Sequence, residues 1–123
     1  MSFSADLSKY ASKTINNAAN VSRAAKISLF SGIISDTRVD TGRLRGNWQT
    51  STGAPKLAEI ERFDPSGELA ISETAGNVAA FGVDYMTNNL PYAVVMEEKD
   101  GMVAKNMARI ERNLKEAVDS VRS

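Results

Sequence analysis

From about Ser4 to Ser35, the residues Leu7, Ala11, Ile15, Ala18, Ala25, Leu29 and Ile33 recur at spacings of three and four, with a gap at Ser22. That is the period of an amphipathic helix. A helix of this length commits roughly the first quarter of the chain to a single rod, about 1.5 Å long per residue. Lys9, Lys13, Asn16, Asn20 and Arg23 fall mainly on its other faces. Ser4 is the expected N-cap, and Asp6 in the first turn suits the helix dipole. The middle of the rod is rich in Ala and Ser, so a second backbone can approach it closely, within the domain or between subunits.

A second helical pattern closes the chain. Val103, Met107, Ile110, Leu114, Ala117 and Val121 form a narrow seam of the kind that packs helix on helix. The seam meets either this chain's own first helix or a neighbour's, and packing in its own core is the expectation.

Between the two helices the chain is punctuated. Asp40-Thr41-Gly42 reads as a turn, with Asp40 accepting a backbone N–H two residues on and Gly42 free to take positive φ. Arg43 to Ser51 alternates like a strand, with Leu44, Gly46, Trp48 and Thr50 on one face and Arg43, Arg45, Asn47 and Gln49 on the other. Leu57 to Phe63 reads as a second strand or as a short helix after Pro55. Asp64-Pro65-Ser66-Gly67 begins a helix to about Phe81 that buries Leu69, Ala75, Val78 and Ala79, with Asp64 as cap. Val83 to Asn88 is a further strand. Pro91 starts a short helical segment carrying Tyr92, Val95 and Met96, which Asp100-Gly101 ends. The expected fold is a single α+β domain over residues 1–123, with a small, mostly antiparallel sheet packed between long N-terminal and C-terminal helices.

Composition limits the chemistry. The 123 residues are 42% hydrophobic and 24% charged, the make-up of an ordinary globular domain. Cysteine and histidine are both absent, which removes disulfides, thiolate nucleophiles, Cys/His zinc sites and an imidazole base. Serines are plentiful but have no base to activate them. There is no Gly-rich phosphate loop. An enzyme is therefore not expected, and neither is a cofactor or a metal. The N-terminus lacks the basic flank and apolar run of a signal peptide, and no stretch approaches the ~20 apolar residues of a membrane span. The expectation is a protein made in a cytoplasm-like compartment that makes no membrane contact.

Charge is balanced overall at 15 basic and 15 acidic groups but unevenly spread. Residues 1–56 carry a net of +5, residues 57–101 a net of −7 and residues 102–123 a net of +2. The basic front and acidic middle either attract between neighbouring copies or pair within the monomer. Arg43 and Arg45 beside Trp48 are the ingredients of a nucleic-acid surface. In the structural reading Trp48 points into the core and the arginines face water. Glu97, Glu98 and Asp100 cluster closely enough to hold a hard cation, although adjacent acids around a turn are usually solvated.

Two stretches carry a resemblance. Val39-Asp40-Thr41-Gly42-Arg43-Leu44-Arg45-Gly46-Asn47-Trp48 resembles the VDTG-x-LR-x-x-W signature of a tailed-phage family. So does Asn88-Asn89-Leu90-Pro91-Tyr92-Ala93, followed by Glu97 or Glu98 and Gly101-Met102-Val103. The family comprises neck or tail-completion proteins, including head–tail joining and minor tail protein Z-like members, and the likeness extends to the order of elements along most of the chain. Members commonly have a longer loop before the Gly-Met step. Here Glu97-Glu98-Lys99-Asp100 runs almost directly into it, so no contact role is carried over to that loop.

The resemblance implies a structural virion protein at the head–tail interface of a tailed phage, assembled in the host cytoplasm as a homo-oligomeric ring. Its implied neighbours are connector, stopper, tail-terminator or tail-tube proteins. The nearest alternatives are a tail terminator or head-side stopper and, from another class, a small nucleic-acid-binding accessory protein. Asp40, Gly42, Trp48, Asn89, Pro91, Tyr92 and Gly101 are expected to shape the turns and core, with the Tyr92 ring beside the C-terminal helix. From their charge, and not from the resemblance, Arg38, Arg43, Arg45, Glu97 and Glu98 are candidates for contact between subunits, the arginines also for loose contact with genome DNA in a channel.

Overall fold

The apolar period at the start of the chain becomes helix α1, Phe3–Asp36, and the one at its end becomes α5, Met102–Arg122. The computed structural model describes residues 3–122, with side chains given for residues 18–113, 115, 116 and 119. The side chains of Ser4, Asp6, Leu7, Ala11 and Ile15, and of Leu114, Ala117 and Val121, lie outside that description.

Between the long helices run α2 (Arg43–Gly46), β1 (Trp48–Thr52), α3 (Glu68–Asn77), β2 (Asp84–Asn88) and α4 (Ala93–Asp100). The strands β1 and β2 form a two-stranded antiparallel sheet, with Trp48 opposite Asn88, Thr50 opposite Met86 and Thr52 opposite Asp84. The expected α+β class holds. The core gathers where α1, α3 and the start of α5 meet the sheet: Ile33, Ile34, Trp48, Ala70 and Met102 are buried together, with Leu29, Ile71, Met86, Met96 and Val103 packed around them.

The strand expected from Arg43 begins only at Trp48. Gly42, at φ +88°, turns the chain so that its carbonyl accepts the N–H of Gly46 at 2.9 Å and that of Asp64 at 2.9 Å. The first of these bonds closes a turn of helix over residues 43–46. Leu44 and Trp48 are both buried at a spacing of four, which suits a helical turn as well as it suits a strand.

The segment 53–64 is neither strand nor helix but an extended strap over the outer face of β1. Its main chain is held by side chains from elsewhere. Asn47 Oδ1 accepts the Ile60 N–H at 2.8 Å, and Gln49 Nε2 donates to Ala58 O at 2.8 Å. Asn89 Nδ2 donates to Lys56 O at 3.0 Å and Ala58 O at 3.2 Å. Held at these main-chain groups, the strap is fixed in place without a ladder of its own.

Helix α3 starts three residues later than expected and buries a different stripe. Ala70 and Thr74 face the sheet, where Thr74 and Thr50 share a hydroxyl hydrogen bond of 2.8 Å, while Leu69 is 58% exposed and Ala75 is exposed too. Small residues let α3 approach the sheet more closely than Leu69 would allow. Val78 is buried as expected, just past the helix end. Asp64 does serve the start of this helix, accepting the Ala70 N–H at 3.0 Å from a buried position.

The seam on α5 is also rotated. Among the described residues of α5, Met102 and Asn106 are the buried ones, and Met107 is exposed. Asn106 donates to Asp36 Oδ2 at 2.8 Å and to Met102 O at 2.7 Å, and it accepts from Arg109. Gly32 of α1 lies directly beneath it, where a Cβ would collide with the Asn106 amide. Helix α5 thus packs on this chain's own first helix, with Asn106 seated at the contact.

Candidate interaction surface

The two stretches that carry the family resemblance fold onto one another. Asn88 Nδ2 donates to Leu44 O at 2.8 Å across 44 residues of sequence, and Trp48 stands opposite Asn88 in the sheet. Leu44, Leu90 and Ala93 form a second buried cluster with Met96 against it. The other polar atom of Asn88, Oδ1, accepts the Leu90 N–H at 3.3 Å, and the Ala93 N–H returns to Leu90 O at 3.1 Å. Side-chain amides at positions 88 and 89 therefore tie the NNLPYA turn to both α2 and the strap.

Trp48 is 7% exposed, and its indole N–H donates to the Thr37 hydroxyl at 2.8 Å. The ring anchors β1 in the core, as the structural reading expects, and offers no stacking platform to a base. Gly101, at φ +62°, ends α4, with its N–H on Glu97 O at 2.8 Å. Pro91 is exposed in the turn before α4.

Two of the expected roles change. Asp40 does not cap its turn: the Arg43 N–H goes to the Thr41 hydroxyl at 3.3 Å, and among the described residues no hydrogen bond involves the Asp40 carboxylate. Positive φ at Gly42 and the neighbouring threonine shape the bend without it. Tyr92, expected beside the C-terminal helix, is 41% exposed just before α4. It lines a cleft of about 410 Å³ with Arg38, Asp40, Thr41, Leu44 and Met96. That cleft is where the DTG turn and the NNLPYA turn meet at the surface.

The charged candidates divide by occupation. Arg45 is committed to the fold: its guanidinium donates to the carbonyls of Ser35 at 2.9 Å, Thr37 at 2.7 Å and Pro65 at 2.5 Å. Arg38 pairs with Asp100 at 2.8 Å on the surface, and Arg43 lies 3.6 Å from Glu59. Glu97 reaches past the Gly101 break and accepts the N–H groups of Val103 at 2.8 Å and Ala104 at 3.2 Å, so it caps α5. Glu98 is exposed at the rim of a smaller cleft, about 260 Å³, lined by Trp48, Ala93, Val94, Met102 and Val103. With Glu97 and Asp100 occupied, the acidic cluster is not poised for a cation, and among the described residues no three acidic side chains converge. Among the same residues, no helix is long and apolar enough to cross a membrane.

Among the described residues, the basic front and acidic middle of the chain meet within the monomer at three ion pairs: Lys26–Asp84, Arg38–Asp100 and Arg43–Glu59. The first is the most sheltered. Lys26 Nζ reaches Asp84 Oδ2 at 2.8 Å and the carbonyl of Ala79 at 2.9 Å. Burial alone would raise the Asp84 carboxyl. Hydrogen bonds from Lys26, Thr52 and the Ala79 N–H, with the Lys26 charge, outweigh it and hold the carboxyl below its ordinary range.

Sequence reasoning missed Thr37, Arg62 and Glu73. Arg62 donates to the carbonyls of Gly46 at 2.5 Å and Trp48 at 2.7 Å and pairs with Glu73 at 2.8 Å, and Glu73 accepts the Thr50 N–H at 2.9 Å. No periodicity marks these two residues, since each works on the main chain of a strand far from it in sequence. Compared with known proteins, the chain matches no family model, no curated protein and no solved structure.

Proposed function

We propose that this chain is a structural protein of the head–tail interface of a tailed phage. In this reading it completes or joins the tail to the head connector as a homo-oligomeric ring, acting by shape and self-repetition with no chemical step. The observation that carries the reading is the union of the two motif stretches through Asn88 and Leu44. Residues that resemble one family's signature, far apart in the chain, build one structural unit with a shared surface cleft. Asp40, Thr41 and Tyr92 border that cleft, and among the described residues neither the Asp40 carboxylate nor the Tyr92 hydroxyl takes part in a hydrogen bond. They are the positions of the signature available for a neighbouring subunit or a connector protein. The burial of Trp48 and the commitment of Arg45 to carbonyls favour this reading over a nucleic-acid-binding accessory protein. Among the arginines, Arg38 and Arg43 remain for loose contact with passing DNA.

Particles assembled without this chain should accumulate as filled heads and unattached tails in electron micrographs. Asp40→Asn with Tyr92→Ala should give the same picture while leaving the chain folded. Complete infectious particles made in its absence would overturn the proposal, and unattached tails of abnormal length would move the chain to the tail-terminator post.

A further inference from the structure

The two edges of the sheet are not alike. Just beyond the strands, the Gly53 N–H donates to Val83 O at 3.0 Å. Alternation along the antiparallel register then decides which groups face the ladder. The main-chain groups of Gln49, Ser51, Tyr85 and Thr87 point across it, and those of Trp48, Thr50, Asp84, Met86 and Asn88 point outward.

On β1 outward groups are already taken. Arg62 covers the Trp48 carbonyl and Glu73 covers the Thr50 N–H, so an ion pair stands in for a neighbouring strand. On β2, among the described residues, no hydrogen bond reaches the outward N–H or C=O of Asp84, Met86 or Asn88. Exposure agrees: the Asp84 side chain is 1% exposed while the residue as a whole is half-buried, so what solvent reaches there is main chain.

Both ends of this open strand are apolar. Phe81 and Val83, leading into it, are exposed. At its other end Asn88 borders the cleft lined by Ala93, Val94, Met102 and Val103.

We propose that β2 pairs antiparallel with β2 of a second copy, about a two-fold axis at Met86, giving a continuous four-stranded sheet. With the β1 edge occupied by Arg62 and Glu73, the open β2 edge is the one that a second sheet can join, and its natural mate is itself. The register sets Asp84 against Asn88 and Tyr85 against Thr87, an aromatic beside a β-branched residue, and no like charges oppose. It also carries residues 81–83 of each copy toward residues 89–91 of the other. The exposed apolar pair of one copy then lies near the apolar hollow of its mate. Main-chain bonding supplies the adhesion and the flanking apolar residues fix the register, as in strand addition generally. An unprotected edge is otherwise a route to aggregation. A two-fold contact closes on itself and cannot run around a polar ring, so this pair is a form of the free protein, independent of the reading given above.

Native mass spectrometry and hydrogen exchange on the full chain at rising concentration test it. A dimer should form, and the amides of Asp84, Met86 and Asn88 should slow by about tenfold or more as it does. Those of Tyr85 and Thr87 should be protected throughout. Met86→Pro deletes an outward N–H and leaves the β1–β2 ladder its donors, so the dissociation constant should rise more than about tenfold. If that variant fails to fold, the wild-type exchange pattern decides alone. A monomer at every concentration, an oligomer whose outward amides exchange freely, or a dimer indifferent to Met86→Pro would each overturn the pairing. A ring with freely exchanging outward amides would do so while leaving the neck reading intact.

Discussion

The indole N–H of Trp48 and the hydroxyl of Thr37 meet at 2.8 Å, and that hydroxyl in turn donates to Ile33 O at 2.7 Å. This relay fastens the first strand to the end of α1 through two buried groups. Thr37→Val keeps the shape but strands the indole N–H, and should cost about 1–3 kcal/mol. Trp48→Ala should cost about 3–5 kcal/mol through the cavity it leaves. Urea unfolding monitored by circular dichroism measures both. Equal stability of Thr37→Val and wild type would show the relay to be dispensable.

Glu97 and Glu98 are neighbours with unlike duties. Glu97→Ala removes the carboxylate that caps α5 and should cost about 1 kcal/mol. Glu98→Ala removes no hydrogen bond or ion pair among the described residues and should stay within about 0.5 kcal/mol of wild type. Thermal melts of the two variants side by side would distinguish them.

Asp84 predicts an acid dependence. Its carboxyl is held below the ordinary range, so its contribution is present above the unfolded value near pH 4 and is lost as pH falls through the folded value. Asp84→Asn should cost about 2 kcal/mol at neutral pH. The gap between variant and wild type should narrow on acidification below about pH 4. Urea midpoints collected across that range would show the convergence, and parallel curves would contradict it.

Arg45 serves three backbone carbonyls with one planar fork, a geometry that lysine cannot reproduce. Arg45→Lys should therefore destabilise the chain by about 1–3 kcal/mol. Arg38→Lys, in an exposed pair, should change stability by less than about 1 kcal/mol. Any loss of DNA retention in an Arg45 variant should then track unfolding, which a gel shift paired with a melt can separate.

Periodicity and punctuation made much of the fold legible. The long helices, the β2 segment, the Gly101 break and the burial of Trp48 all follow from spacing and turn chemistry. Ambiguity entered where two periods fit the same residues. Leu44 and Trp48 satisfy a helical spacing of four and a strand spacing of two, and Gly42 settles the matter only once its φ is known. Hydrophobicity misplaced the α3 stripe because close approach to the sheet selects Ala70 and Thr74 over the larger Leu69. Asn106 was invisible for a related reason: a buried amide between two helices is recognised by its partners, Asp36 and Met102, and not by its own type. The candidate surface was half legible. Its turns could be read singly, but their union through Asn88 and the Leu44 carbonyl depends on a contact between a side chain and a distant backbone, which leaves no mark on local sequence.

The strap over β1 is gripped by its peptide groups, through Asn47, Gln49 and Asn89, while Leu57, Glu59, Glu61 and Phe63 face outward. A ribbon clasped in this manner can be re-lettered on its solvent side with little penalty to folding. Variation there would change what the molecule shows to its surroundings and leave the scaffold beneath undisturbed, making the strap the cheapest place for divergent copies to acquire new neighbours.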